Sequence, residues 1–140
     1  MTGTESRVFV DTNVLFYSFD GRFPRKQKIA VEALGRIWAS RSGILSVQII
    51  TELTTNLRKK LDFDWRKIAR IVEPYTHWRI ATIEPADALE AIRIASTHRL
   101  GYWDSLVIRA ASKAGADVLL TEDLSHGQSI EGVRIENPFA

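Results

Sequence analysis

The feature that most constrains this chain is an alternation of very short apolar runs with longer segments of helical periodicity. Val8-Phe9-Val10, Ile44-Leu45, residues 78–83, Val118-Leu119-Leu120 and Val133-Arg134-Ile135 read as short strands. Between them lie helical patterns. Residues 14–19 form a short one, and Pro24 opens a second with Ile29, Ala33, Ile37 and Trp38 on one face. Ser46 caps a third, with Val47, Ile50, Leu53, Thr54 and Leu57 inward and Arg58-Lys59-Lys60 at its C-terminal end. Residues 64–73 make a fourth helix, stopped by Pro74. Residues 85–97 make a fifth with Leu89, Ile92 and Ala95 inward. The last carries the stripe Leu106, Val107, Ala110, Ala111 and Ala114, and Gly115 ends it. Strands this short and apolar are buried on both faces. The pattern therefore predicts a three-layer α/β/α fold around a central, mainly parallel sheet of four to five strands with right-handed crossovers. A site in such a sheet is expected beyond the carboxyl ends of the strands.

At 140 residues, with 45% apolar and 26% charged side chains, the chain suits one domain over residues 1–140 with a core sufficient to fold unaided. It has no cysteine, which excludes disulfides, thiolate metal sites and a cysteine nucleophile. The three histidines, His77, His98 and His126, have no zinc-ligand spacing, and none has a partnered nucleophile. Any metal must then be held by oxygen or imidazole. A net charge of +2 with a pI near 9.1 permits a nucleic-acid partner without requiring one. No signal peptide and no membrane-spanning run is read, so the expected location is the cytoplasm.

Four acids fall where the site is expected. Asp11 follows the first strand, Glu52 lies early in the helix after Ile44-Leu45, Asp104 opens a helix, and Asp123 lies just past Leu120. Each also has an ordinary reading. Asp11 and Asp104 can cap helices, Glu52 can be a solvated helix acid, and Asp123 can be a loop acid with Glu122 competing for its role. If they converge, their repulsion must be relieved by protonation or a cation. An all-oxygen donor set suits Mg²⁺ or Mn²⁺, ions that activate water and neutralise charge developing on a phosphate.

The segments carrying these acids, Val10-Asp11-Thr12-Asn13-Val14-Leu15, Ser46 through Leu53, Tyr102-Trp103-Asp104-Ser105-Leu106 and Leu120-Thr121-Glu122-Asp123-Leu124, resemble in order and spacing the four motifs of PIN domains. Length and the context of Gln48 are most similar to the VapC-type toxins of toxin–antitoxin pairs. The resemblance implies a metal-dependent endoribonuclease. Asp11 and Asp104 are implied as chief metal contacts, Glu52 and Asp123 complete the acidic pocket, and Asn13 and Thr121 support it. It further implies an RNA substrate, a homodimer and an inhibiting antitoxin protein.

Two basic clusters, Arg22, Arg25, Lys26 and Lys28, then Arg58, Lys59, Lys60, Arg66 and Lys67, can follow phosphates or merely solvate helix faces. Tyr102, Trp103, Phe16 and Tyr17 can stack on bases, or pack in the core or a dimer surface. Two other function classes share the pattern. A phosphoryl-transfer or receiver-type domain also places acids at strand ends. However, Asn13 stands where an aspartyl-phosphate phosphatase wants a second Asp, and Asp11 is not part of an acidic pair. A catalytically inert RNA- or protein-binding module is the other.

Overall fold

A computed structural model describes residues 6–140. Among them six strands and six helices follow in the order β1 (Val8–Val10), α1 (Thr12–Tyr17), α2 (Pro24–Ser40), β2 (Gly43–Ser46), α3 (Val47–Leu61), α4 (Trp65–Tyr75), β3 (Arg79–Ala81), α5 (Pro85–His98), α6 (Tyr102–Lys113), β4 (Val118–Leu120), β5 (Ser129–Ile130) and β6 (Val133–Glu136). They build one sheet in the order β3-β2-β1-β4-β6-β5. All pairs are parallel except β5 with β6. The mainly parallel α/β architecture is the one expected. The sixth strand, β5, comes from a two-residue hairpin: Glu131 and Gly132 both take positive φ, 52° and 80°, which suits a type I′ turn.

Chain order reverses beside β1. The chain moves outward through β2 and β3, then returns to lay β4 on β1's other side. Such a switch point leaves a crevice at the carboxyl ends of the two central strands. The floor is the hydrophobic core, where Phe9, Leu15, Ile44, Leu45, Ile49, Leu53, Leu57, Leu119 and Ile135 are essentially inaccessible. Helix α1 packs against both α2 and α3, and α3 against α4, while α5 and α6 pack together and α6 lies on β3, β4 and β6. No helix among the described residues is long and apolar enough to cross a membrane.

Three helix faces differ from the sequence expectation. On α5 the expected inward residues Leu89 and Ile92 are 70% and 56% exposed, and Ala91 and Ile94 are buried instead. The cause is Asp87. Its carboxylate accepts from the Glu84 backbone N–H at the helix start and from Arg109 Nε (2.8 Å) and Lys113 Nζ (2.6 Å) of α6. Burying that ionised group requires its partners, so the helix presents the Asp87 side, not the leucine side, to α6. On α3, Ile49, Leu53 and Leu57 face the core while Val47 points outward. On α2 the buried set is Ala30, Ala33, Leu34 and Ile37, and Trp38 is part-exposed. Pro74 does not stop α4, which runs one residue further. A proline in the last turn forfeits little backbone bonding, and Tyr75 is buried against Trp38 and Trp78. Trp78 in turn demands Gly43, since a Cβ there would lie 2.4 Å from its ring.

Candidate active site

The crevice is a cavity of about 430 Å³ lined by all four acids, Asp11, Glu52, Asp104 and Asp123, together with Asn13. Each reaches it through a different element. Asp11 is the first residue past β1 and is held there because its backbone N–H donates to Leu120 of β4 at 3.0 Å. Its Oδ1 accepts from the Thr12 N–H at 2.8 Å, so it also caps α1. Oδ2 accepts from the Thr121 hydroxyl at 2.9 Å. That hydroxyl also accepts from the Asp123 N–H at 3.1 Å and from Asn13 Nδ2 at 3.4 Å. Asn13 donates to Asp123 Oδ2 at 3.0 Å, and its own carbonyl accepts from the Glu122 N–H. Asn13 and Thr121 thus knot the start of α1 to the loop after β4. Glu52 joins through Oε1, which accepts from the Thr12 hydroxyl at 3.0 Å.

Asp104 lies in the first turn of α6 behind the N-cap Gly101, yet its carboxylate makes no hydrogen bond among the described residues. It does not cap its helix; it faces the cavity. Of the two acids after Thr121, Glu122 is tied off: Lys26 Nζ donates to Oε2 and the Tyr17 hydroxyl to Oε1, each at 2.9 Å. Asp123 is held only by neutral groups, Asn13 and the Thr121 hydroxyl, and has no cationic partner among the described residues.

The electrostatics follow from this placement. Asp11 is 8% exposed, and burial, joined by the charges of Asp123 and Glu52, raises its pKa to about 6 despite its two hydrogen bonds. Asp104 is raised as well, by burial and then by Asp123. No group of three or more His, Asp or Glu side chains among the described residues is already arranged to hold a metal ion. The donor set is nonetheless all oxygen and has spare lone pairs. It also carries repulsion that a cation would relieve. This fits Mg²⁺ or Mn²⁺, ions that take one or two carboxylates and keep several waters.

The cavity also contains residues that the acid pattern alone passes over. Gln48, Glu52, Asn56 and Lys60 all line it and stand four apart on α3. This polar stripe opposite Ile49, Leu53 and Leu57 is readable in the sequence as an i, i+4 series. Asp20, read as a turn residue, is buried and bound by both Nε and Nη2 of Arg22, which keeps it ionised. The basic clusters divide accordingly. Arg22 and Lys26 are engaged with Asp20 and Glu122, while Lys60 lies over Phe16 with no acidic partner among the described residues. His98 and His126 lie outside the cavity, bonded to Glu131 and to the Asn137 N–H.

A family model described as the PIN domain matches residues 8–127. By sequence, no curated protein matches the chain. Among solved structures, the VapBC complex from Salmonella typhimurium, crystallised with DNA, is similar at a TM-score of 0.66 and 20% identity, over 96% of this chain and 99% of that one. Mycobacterium tuberculosis VapC20, a toxin described as cleaving the sarcin–ricin loop, is similar at a TM-score of 0.58 and 16% identity, over 80% and 86%. At these identities the likeness is one of fold.

Proposed function

This chain belongs to the PIN-domain family, and on that premise we propose that it is a metal-dependent endoribonuclease, the toxin of a toxin–antitoxin pair. One observation carries the reading. Four carboxylates from four separate elements meet in one polar crevice at the switch point, and Asp104 has no structural partner there among the described residues. Acids kept only for capping would not be gathered in this way.

In this reading Asp11 and Asp104 are the chief holders of Mg²⁺ or Mn²⁺, with Glu52 and Asp123 completing the ring. The bound ion supplies Lewis-acid activation of water and neutralises charge on the phosphate being cleaved. Thr121 fixes the Asp11 carboxylate by donating to Oδ2, and Asn13 fixes Asp123 by donating to its Oδ2. Lys60 offers a cation to the substrate backbone at the far end of the α3 stripe. The Salmonella neighbour is a VapBC complex. That supports an antitoxin partner, and we extend the reading to an antitoxin that covers the pocket and to a homodimer.

The test is a gel assay on total RNA with Mg²⁺ or Mn²⁺ and with chelator. Cleavage should require the metal and vanish in Asp104→Asn, whose melting should not fall, since the Asp104 carboxylate bonds nothing among the described residues. Undiminished cleavage in excess EDTA would falsify the metal reading.

A further inference from the structure

Trp103 is 66% exposed beside Asp104, and core packing cannot account for it. It belongs to two environments at once. It lines the acidic cavity, and it also forms the wall of an adjoining apolar depression with Val47, Ile83 and Leu106. Gln48 is its companion in both, and the pair also borders a third hollow that reaches Glu52. The Gln48 amide makes no hydrogen bond among the described residues, and Tyr102 meets the indole edge-to-face at 5.5 Å, which limits its swing.

We propose that Trp103 and Gln48 form a nucleobase subsite: an unpaired base of the RNA strand stacks on the indole, and the Gln48 amide reads its edge. The inference rests on the nuclease reading and adds a specificity element to it. Three physical points carry it. An exposed π-face continuous with a phosphate-cutting pocket is where the base next to the cleaved bond must go. Base–aromatic stacking tolerates every base, so Trp103 supplies affinity. An unpartnered carboxamide offers both donors and an acceptor, which is what an edge requires for discrimination. The α3 stripe from Gln48 to Lys60 spans roughly 18 Å at helical rise. It places the base contact at one end, a backbone cation at the other, and Glu52 between them.

The probe is a set of short single-stranded RNAs, one for each base, plus an abasic counterpart, titrated into cleavage-dead Asp104→Asn protein. Base-containing RNA should quench tryptophan emission, abasic RNA should not, and the additional Trp103→Phe change should remove the quench. Trp103→Ala should weaken binding roughly ten- to a hundredfold, Trp103→Phe should restore most of it, and Gln48→Ala should level the preference among bases. Trp103 is exposed, and the half-buried Gln48 amide bonds nothing among the described residues, so melting should not move. Equal quenching by abasic RNA, or Trp103→Ala binding within about twofold of its parent, overturns the subsite and leaves the depression to a protein surface. The two readings fail separately. Absence of metal-dependent cleavage by the wild-type protein sinks the nuclease, while base-dependent quenching would still stand.

Discussion

The Asp11→Asn substitution examines the buried charge directly. The gap between an ordinary aspartate at 3.8 and Asp11 at about 6 corresponds to about 3 kcal/mol. The sign follows from proton binding. Between these two values the folded state holds a proton that the unfolded state has released, so wild-type stability falls as pH rises through the window. Below it the penalty is absent, and above about pH 6 it is complete. Asparagine removes the penalty but disturbs a bond. Thr12 N–H and Thr121 Oγ–H both donate to Asp11, so an amide nitrogen must face one donor whichever way it turns. That conflict costs about 1–2 kcal/mol and does not depend on pH. The variant should therefore melt below wild type near pH 4 and above it near pH 7.5. At roughly 3 °C per kcal/mol for this length, the difference between the two melting curves should swing by about 10 °C across the interval. Saturating Mg²⁺ should shrink the swing, because it stabilises the ionised wild type by mass action. The assay is four calorimetric scans in EDTA, each protein at each pH, and two more with Mg²⁺ at pH 7.5. A melting difference that stays constant to within about 2 °C between pH 4 and pH 7.5 refutes the buried, repelled carboxylate.

Thr121→Val keeps the side-chain shape and removes one donor and one acceptor, so it should cost about 2–3 kcal/mol in a denaturant melt and weaken Mg²⁺ binding by about ten- to a hundredfold in a titration followed by melting. Glu122→Gln should leave RNA cleavage near wild type, because Lys26 and Tyr17 already hold that side chain. Asp123→Asn should remove cleavage, and the reverse ranking in the same gel assay would reassign the pocket acid. Asp87→Asn should destabilise by about 2–4 kcal/mol by leaving Arg109 and Lys113 without their shared acid, with no change in cleavage at 25 °C. The Lys113 and Arg109 bonds hold the Asp87 pKa below the usual carboxylate range. Its contribution should therefore persist above about pH 4 and fade as the solution is acidified below that, read from wild-type minus variant melts.

What could be read from the chain was whatever has a local signature. Val118-Leu119-Leu120 is an uninterrupted apolar run, and Thr121-Glu122-Asp123 follows it immediately, so a strand end with polar cargo was visible. Ser46 as a cap and Asp11 at the end of β1 were visible for the same reason. The facing of α5 was not, because hydrophobicity favours Leu89 and Ile92. The deciding contact, Asp87 with Arg109 and Lys113, joins two helices and has no signature in either one alone. β5 escaped because its turn uses Glu131-Gly132 where Asn-Gly would have announced a hairpin. The resemblance pointed to Asp123 over Glu122; the contact that ties Glu122 off, with Lys26 96 residues away, has no signature in the motif itself. The stripe Gln48, Glu52, Asn56 and Lys60 was legible, but only to a search for polar periodicity as well as apolar periodicity.

The pairing of β1 with β4 also sets a clock. Asp11 and the threonine that orients it stand 110 residues apart, so a growing chain carries the first half of its acids long before it carries the strand that assembles them. At roughly 5–20 residues per second of synthesis, the interval is about 5–20 s. Glu52 joins Asp11 partway through it, and for the rest of it the polypeptide holds both acids but has no crevice to put them in. A site whose acids come from such distant parts of the chain is incomplete while the ribosome is still making it. It comes into existence only when the last third of the protein has emerged and closed against the first.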